Sequence, residues 1–129
     1  MKSTKLNLSE VYVLAQELVG NEKFKGLLAQ PLSLKTKYWL QRLSDKLNSE
    51  VKSIDEARNN LIKELGEEKD GQISIPSDSP NVLIFQQQFA ELMNEEKEIS
   101  HADFTIEQFE NLETAEHYAV FLKLITFEE

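Results

Sequence analysis

The sequence predicts a mainly α protein: an antiparallel helical hairpin with flanking N- and C-terminal helices and a small two-stranded β element. Three observations carry this expectation. Leu40, Leu43, Leu47, Val51, Ile54, Leu61 and Leu65 recur at three- and four-residue steps, with Ala57 filling the gap, which is the spacing of one helix face. Capping residues precede the apolar stripes, and glycine or proline follows several of them. Two short β-like runs, residues 72–75 and 98–104, lie outside the helical stripes.

The first helix follows Asn7, a good N-cap, with Glu10 placed to complete a capping box. Leu6 and Val11 occupy the two positions of a hydrophobic staple. Val11, Leu14, Ala15, Leu18 and Val19 form its inward stripe, and Gly20 supplies a left-handed stop. Residues 22–30 read as a short helical turn with Phe24, Leu27 and Leu28 inward, ended by Pro31.

The dominant element runs from Leu34 to Leu65 behind Ser33 and would span about 48 Å as one helix. Ser53 and Glu56 also fit an internal capping box, which leaves room for a break near residue 53. Gly66 closes the helix, and Asp70-Gly71 favours a tight turn. Ser79-Pro80 opens the next helix as N-cap and first helical residue, with Val82, Phe85, Phe89, Leu92 and Met93 inward. The short connection sets this helix antiparallel to the long one, so residues 34–65 pack against residues 80–97 to form the core. The run at 98–104 is then free to pair with that at 72–75. Thr105 and Gln108 fit a further capping box ahead of Phe109 and Leu112. Thr114 caps a last helix with the stripe Ala115, Tyr118, Ala119, Leu122 and Ile125.

The chain of 129 residues favours one domain over 1–129 and is long enough to fold without a staple. It has no cysteine, which removes disulfides, thiolate metal sites and thiol nucleophiles, and mildly favours a reducing compartment. The N-terminus lacks the continuous apolar stretch of a secretion signal, and no segment reaches the roughly 18 apolar residues of a spanning helix. A cytosol-made, soluble protein with no membrane partner is expected. Charge is uneven: residues 1–53 hold nine Lys/Arg and five Asp/Glu, and residues 54–129 hold five and eighteen. That polarity either orients an encounter with a partner or is a lopsided solvated surface.

The sequence offers little for catalysis. His101 and His117 lie too far apart for a helical metal pair. Glu95, Glu96, Glu98 and Asp103 lack the glycine turn and spacing of a calcium loop. The four glycines form no phosphate-cradling loop, and no serine stands in a strand–turn–helix elbow. Lys35, Lys37 and Arg42 interleave with Tyr38 and Trp39, a pattern that can grip nucleic acid, but aromatics at the start of an amphipathic helix more often anchor a core. With a net charge of −9, no nucleic-acid partner is expected, and neither is a cofactor or metal.

Three segments carry a family resemblance: ARNNLIKELGEE at residues 57–68, FAELMNEEKEIS at 89–100 and FENLETAEHYAVFLKLI at 109–125. Together they resemble small acidic helical proteins of unknown function encoded by tailed bacteriophages. The N-terminal region with its own capped helix departs from that pattern. The resemblance implies a non-enzymatic phage protein, located in the host cytoplasm or in the virion. Its partners would be virion components or itself, in a structural or assembly role. The alternative, motivated by the acidic C-terminal half, is an inhibitor of a host defence factor that either imitates nucleic acid or covers a basic site. Partner contacts are expected at the end carrying the two β-like runs, around Ile73, Ile75, Glu95, Glu96, Glu98 and Ile99.

Overall fold

The computed structural model describes residues 2–110 and 118–126. Its elements are β1 (Lys2–Asn7), α1 (Leu8–Val19), α2 (Leu34–Leu65), β2 (Glu67–Lys69), β3 (Gln72–Ser74), α3 (Asn81–Met93), β4 (Glu96–His101), β5 (Phe104–Thr105) and β6 (Ile125–Thr126), with 3-10 turns at Leu27–Ala29, Ile106–Phe109 and Phe121–Leu124. The protein is mainly α, with a helical hairpin and small β elements.

The start of α1 follows its local signals. Asn7 Oδ1 accepts from the Glu10 amide at 2.8 Å, Glu10 Oε1 accepts from the Asn7 amide at 3.2 Å, and both staple residues, Leu6 and Val11, are buried. The residues ahead of the cap are not a loose lead-in but strand β1, antiparallel to β4 with Leu6 opposite Lys97 and Lys2 opposite His101. Only Thr4 and Leu6 of β1 turn inward, too few to announce a strand. Beyond α1 the chain doubles back so tightly that a Cβ on Gly20 would lie 2.3 Å from the Gly26 nitrogen, and one on Gly26 would lie 2.3 Å from the Val19 carbonyl carbon. The positive φ of Gly20, 84°, opens this corner.

Helix α2 is continuous. Ser33 caps it by accepting from the Thr36 amide, and no break occurs near residue 53, because Ser53 Oγ lies 3.3 Å from the Ser49 carbonyl within the helix. Past Gly66, Asp70 and Gly71 take φ values of 54° and 81°, the signs of a type I′ turn, and join β2 to β3 as a tight hairpin. The β element expected from residues 72–75 and 98–104 is therefore divided. The first run pairs with its own neighbour across the turn, and the second pairs with β1. A two-residue I′ connection closes locally, whereas pairing across α3 would need a long loop.

The hairpin of α2 and α3 is antiparallel, with Ile62 beside Val82 and Phe85, and Ala57 and Leu61 beside Phe89 and Leu92. The core nevertheless lies elsewhere. It is formed by Val11, Leu14 and Leu18 of α1, Leu27 of the 3-10 turn that follows it, Leu40, Leu43 and Leu47 of the first half of α2, Leu6 and Ile99 of the β1–β4 ribbon, and the aromatic C-terminal segment. In α3 no residue is buried, and beyond Leu47 only Ile54 of α2 is. The second half of α2, the β2–β3 hairpin and α3 thus form an arm that projects from a compact head.

The flanking C-terminal helix is also corrected over its described part. Tyr118, Phe121 and Leu124 are buried while Ala119 is exposed, a three-residue repeat that suits a 3-10 turn rather than an α-helix. Ile125 is then extended and pairs, parallel, with Phe104. Phe121 stands 5.3 Å from Phe104 and 5.0 Å from Phe109, ring centre to ring centre, closing the core with an aromatic cluster. The expectations at Leu112, Thr114, Ala115 and His117 lie outside the described residues.

Candidate functional site

The surface this fold leaves uncovered is the arm. Its inner seam pairs Leu61, Ile62 and Leu65 with Val82, Phe85, Phe89, Leu92 and Met93, every one of them only half-buried. Phe85 and Phe89 stack at 5.7 Å, one helical turn apart. Asn81 Nδ2 donates to the Leu65 carbonyl at 2.9 Å, which fixes the start of α3 to the end of α2. At the tip, Ile62, Ile73, Ser74, Ile75, Val82 and Phe85 line an apolar groove of about 320 Å³.

The opposite face of α3 carries Leu83, Ile84, Gln87 and Ala90, all exposed, with Leu83 at 71% and Ile84 at 41%. Residues 79–90 contain no charged side chain, in a chain of which 29% is charged. A helix that is solvated on its outer side normally places charge there. This one is apolar inside and carries a single charge outside, Glu91 near its C-terminal end.

No family model, curated protein or solved structure matches the chain.

The residues expected to bind a partner fall in two separate places. Ile73, 40% exposed, and the half-buried Ile75 sit in the tip groove. Glu95, Glu96 and Glu98 are exposed at the base of the arm, where β4 runs beside residues 46–50 of α2. From there to Leu65 is about 25 Å of helix, so no contact of modest size touches both groups. Ile99 is 5% exposed and belongs to the core, which removes it from the surface. The exposed face of α3 was missed. Its signal in the sequence is the absence of charge over residues 79–90, which overlaps the inward stripe of the same helix.

The titratable groups that stand out are structural. His101 is 3% exposed, with Nε2 bonded to Thr4 Oγ1 at 2.8 Å and Nδ1 2.7 Å from the Ala102 carbonyl. The carbonyl requires a donor, so Nδ1 carries the proton and Nε2 accepts from the threonine. Burial holds the pKa of His101 below its ordinary value. Glu17, also 3% exposed, accepts from the Val120 and Phe121 amides, and burial raises its pKa despite those bonds. Tyr118 donates to the Lys25 carbonyl and accepts from Gln30 Nε2 at 2.9 Å.

Among the described residues, no group of three or more His, Asp or Glu side chains could hold a metal ion, and no helix is long and apolar enough to cross a membrane. The basic aromatic segment divides. Trp39 packs against the core, but Tyr38 is 52% exposed, with the Arg42 guanidinium 5.9 Å over its ring, so the expected anchoring holds for only one of the two aromatics.

Proposed function

We propose that the protein is non-enzymatic and works by binding another protein through the outer face of α3. The observation that carries this reading is a helix with no buried residue, exposing Leu83 and Ile84, within a stretch of residues 79–90 that holds no charge. Apolar surface that folding leaves uncovered favours association, and depletion of charge is what marks the centre of a protein interface. The phage setting implied by the sequence resemblance is part of this proposal: an assembly or particle component that uses helix faces. A mimic of nucleic acid would need several acidic groups on its contact surface, and this face carries Glu91 alone beside Leu83 and Ile84, which supports apolar contact with a protein instead.

Purification of the tagged chain and of its Leu83→Glu and Ile84→Glu variants from cells that produce it tests the proposal. Proteins bound to the wild type should be lost with either variant, while Leu34→Glu, at another exposed leucine, should retain them. Equal recovery by all four chains would show that α3 is not the interface.

A further inference from the structure

We infer that this chain associates head to tail with a second copy of itself, the basic N-terminal end of α2 in one chain seated on the apolar groove at the acidic arm tip of the other. The contact uses neither Leu83 nor Ile84 and goes beyond the α3 reading. Between Glu22 and Asp45 the chain holds five basic residues, Lys23, Lys25, Lys35, Lys37 and Arg42, and no acid, although acids outnumber bases 23 to 14 overall. The Tyr118 hydroxyl donates to the Lys25 carbonyl and accepts from Gln30 Nε2, which holds the turn carrying Lys25 near the segment that leads into α2. On α2 itself Thr36, Leu40, Leu43 and Leu47 are buried, and the opposite side presents Leu34 at 86% and Tyr38 at 52% exposure. The Arg42 guanidinium lies over the Tyr38 ring, and Lys35 is exposed on the same side. Two lysines and no acid stand in the first turn of α2, where the partial positive charge of a helix end disfavours them. Carboxylates brought from outside relieve that arrangement.

The arm tip is the complement of this patch. Its groove of about 320 Å³, walled by Ile62, Ile73, Ile75, Val82 and Phe85, has room for a leucine side chain. Glu68 stands directly opposite Ile73 in the β2–β3 hairpin, so its carboxylate lies on the same face as that groove residue. Residues 63–78 hold five acids against two lysines. Among the described residues the ion pairs are Lys97–Glu50 and Lys123–Glu10, so neither the acids of the tip nor the five bases of the head are neutralised by a partner within the chain. Leu34 in the groove would bring Lys35 and Arg42 to the acidic rim. The two surfaces cannot meet within one molecule, because they stand at opposite ends of the continuous helix α2, about 48 Å apart. Two copies bring them together at once. A contact between unlike surfaces leaves one head and one tip free, so association continues beyond a pair.

Sedimentation velocity on the full chain, from about 1 to about 100 µM, tests this. The sedimentation coefficient of the wild type should rise with concentration across the range. One double variant, Lys35→Glu with Arg42→Glu, reverses the head, and another, Glu67→Lys with Glu68→Lys, reverses the tip. Each alone should weaken association at least about tenfold. All four side chains are exposed, so circular dichroism should show unchanged helicity. Mixed in equal amounts, the two double variants should associate again, because each then offers the charge that the other requires. Leu34→Glu should also weaken self-association while retaining the proteins held by α3, which separates this contact from that one. A wild type that stays monomeric throughout, an association indifferent to both reversals, or a mixture that fails to recover would overturn the inference.

Discussion

The buried carboxylate of Glu17 accepts a hydrogen bond from the backbone amide of Phe121 at 2.8 Å, tying the C-terminal aromatic turn to α1 across 104 positions of sequence. Its second oxygen takes the Val120 amide at 3.1 Å. Removal of the side chain strands both donors in a poorly solvated corner. Glu17→Ala should therefore destabilise the protein by about 2 kcal/mol or more, measured by denaturant unfolding. An unchanged midpoint would show that the clamp contributes nothing.

The same residue gives a pH dependence of definite sign. In the unfolded chain Glu17 ionises near 4.5, and burial raises that value in the native state. The native state then holds a proton that the unfolded state has released, so this group's contribution to stability falls as pH rises from about 4.5 through the raised value. Glu17→Gln does not titrate. The stability of the wild type minus that of Glu17→Gln should decline with pH across this window and then level off. A difference that grows with pH would contradict the burial argument.

His101 has the opposite dependence. Its native pKa lies below 6.5, so the stability it contributes is present above 6.5 and is lost as pH falls through the lowered native value. NMR titration of the His101 ring should show a midpoint below that of a solvent-exposed histidine. Thr4→Val removes the hydroxyl bonded to Nε2 and should destabilise the protein by about 1 kcal/mol. A ring that titrates normally would mean the β1–β4 ribbon opens freely to water.

The placement of the core in the head rather than in the hairpin separates two leucines. Leu47 is fully buried, and Leu47→Ala should cost about 2–5 kcal/mol, with Leu47→Asp preventing folding. Leu83→Ala should change stability by no more than about 0.5 kcal/mol in the isolated chain. Similar losses at the two positions, measured under dilute conditions, would place the core in the hairpin after all.

These contrasts show what the sequence made legible. Local rules served well where a few neighbouring residues decide the outcome: the Asn7–Glu10 capping box, Ser33 before α2, and the Asp70-Gly71 turn all form as expected. Periodicity located the faces of α1, α2 and α3. It did not say how deeply each face is buried, because an inward stripe reads alike whether the partner layer is complete or absent. The stripe of α3 faces α2 yet buries no residue, and the stripe of α2 is buried at Leu47 but only half-buried at Leu61. Strand pairing was equally hidden. Nothing in residues 2–7 marks residues 96–101 as their partner, since that choice depends on how α1, α2 and α3 return the chain. At the C-terminus, Tyr118, Leu122 and Ile125 fit an α-helical stripe as well as Tyr118, Phe121 and Leu124 fit a 3-10 turn, so spacing alone does not choose between them. The candidate site was missed for a related reason: it is marked by missing charges, whereas the acidic cluster at Glu95, Glu96 and Glu98 is marked by present ones.

The most direct measurement is amide hydrogen exchange along α3. It would be followed in the dilute chain and again in the complexes purified from producing cells. The isolated arm has half-buried seams and an exposed outer face, so residues 81–93 should exchange fast in the dilute chain. If α3 is the interface, they should become protected in the complex while α1, already packed in the core, changes little. Equal exchange of α3 in both states, with protection gained elsewhere, would contradict the account.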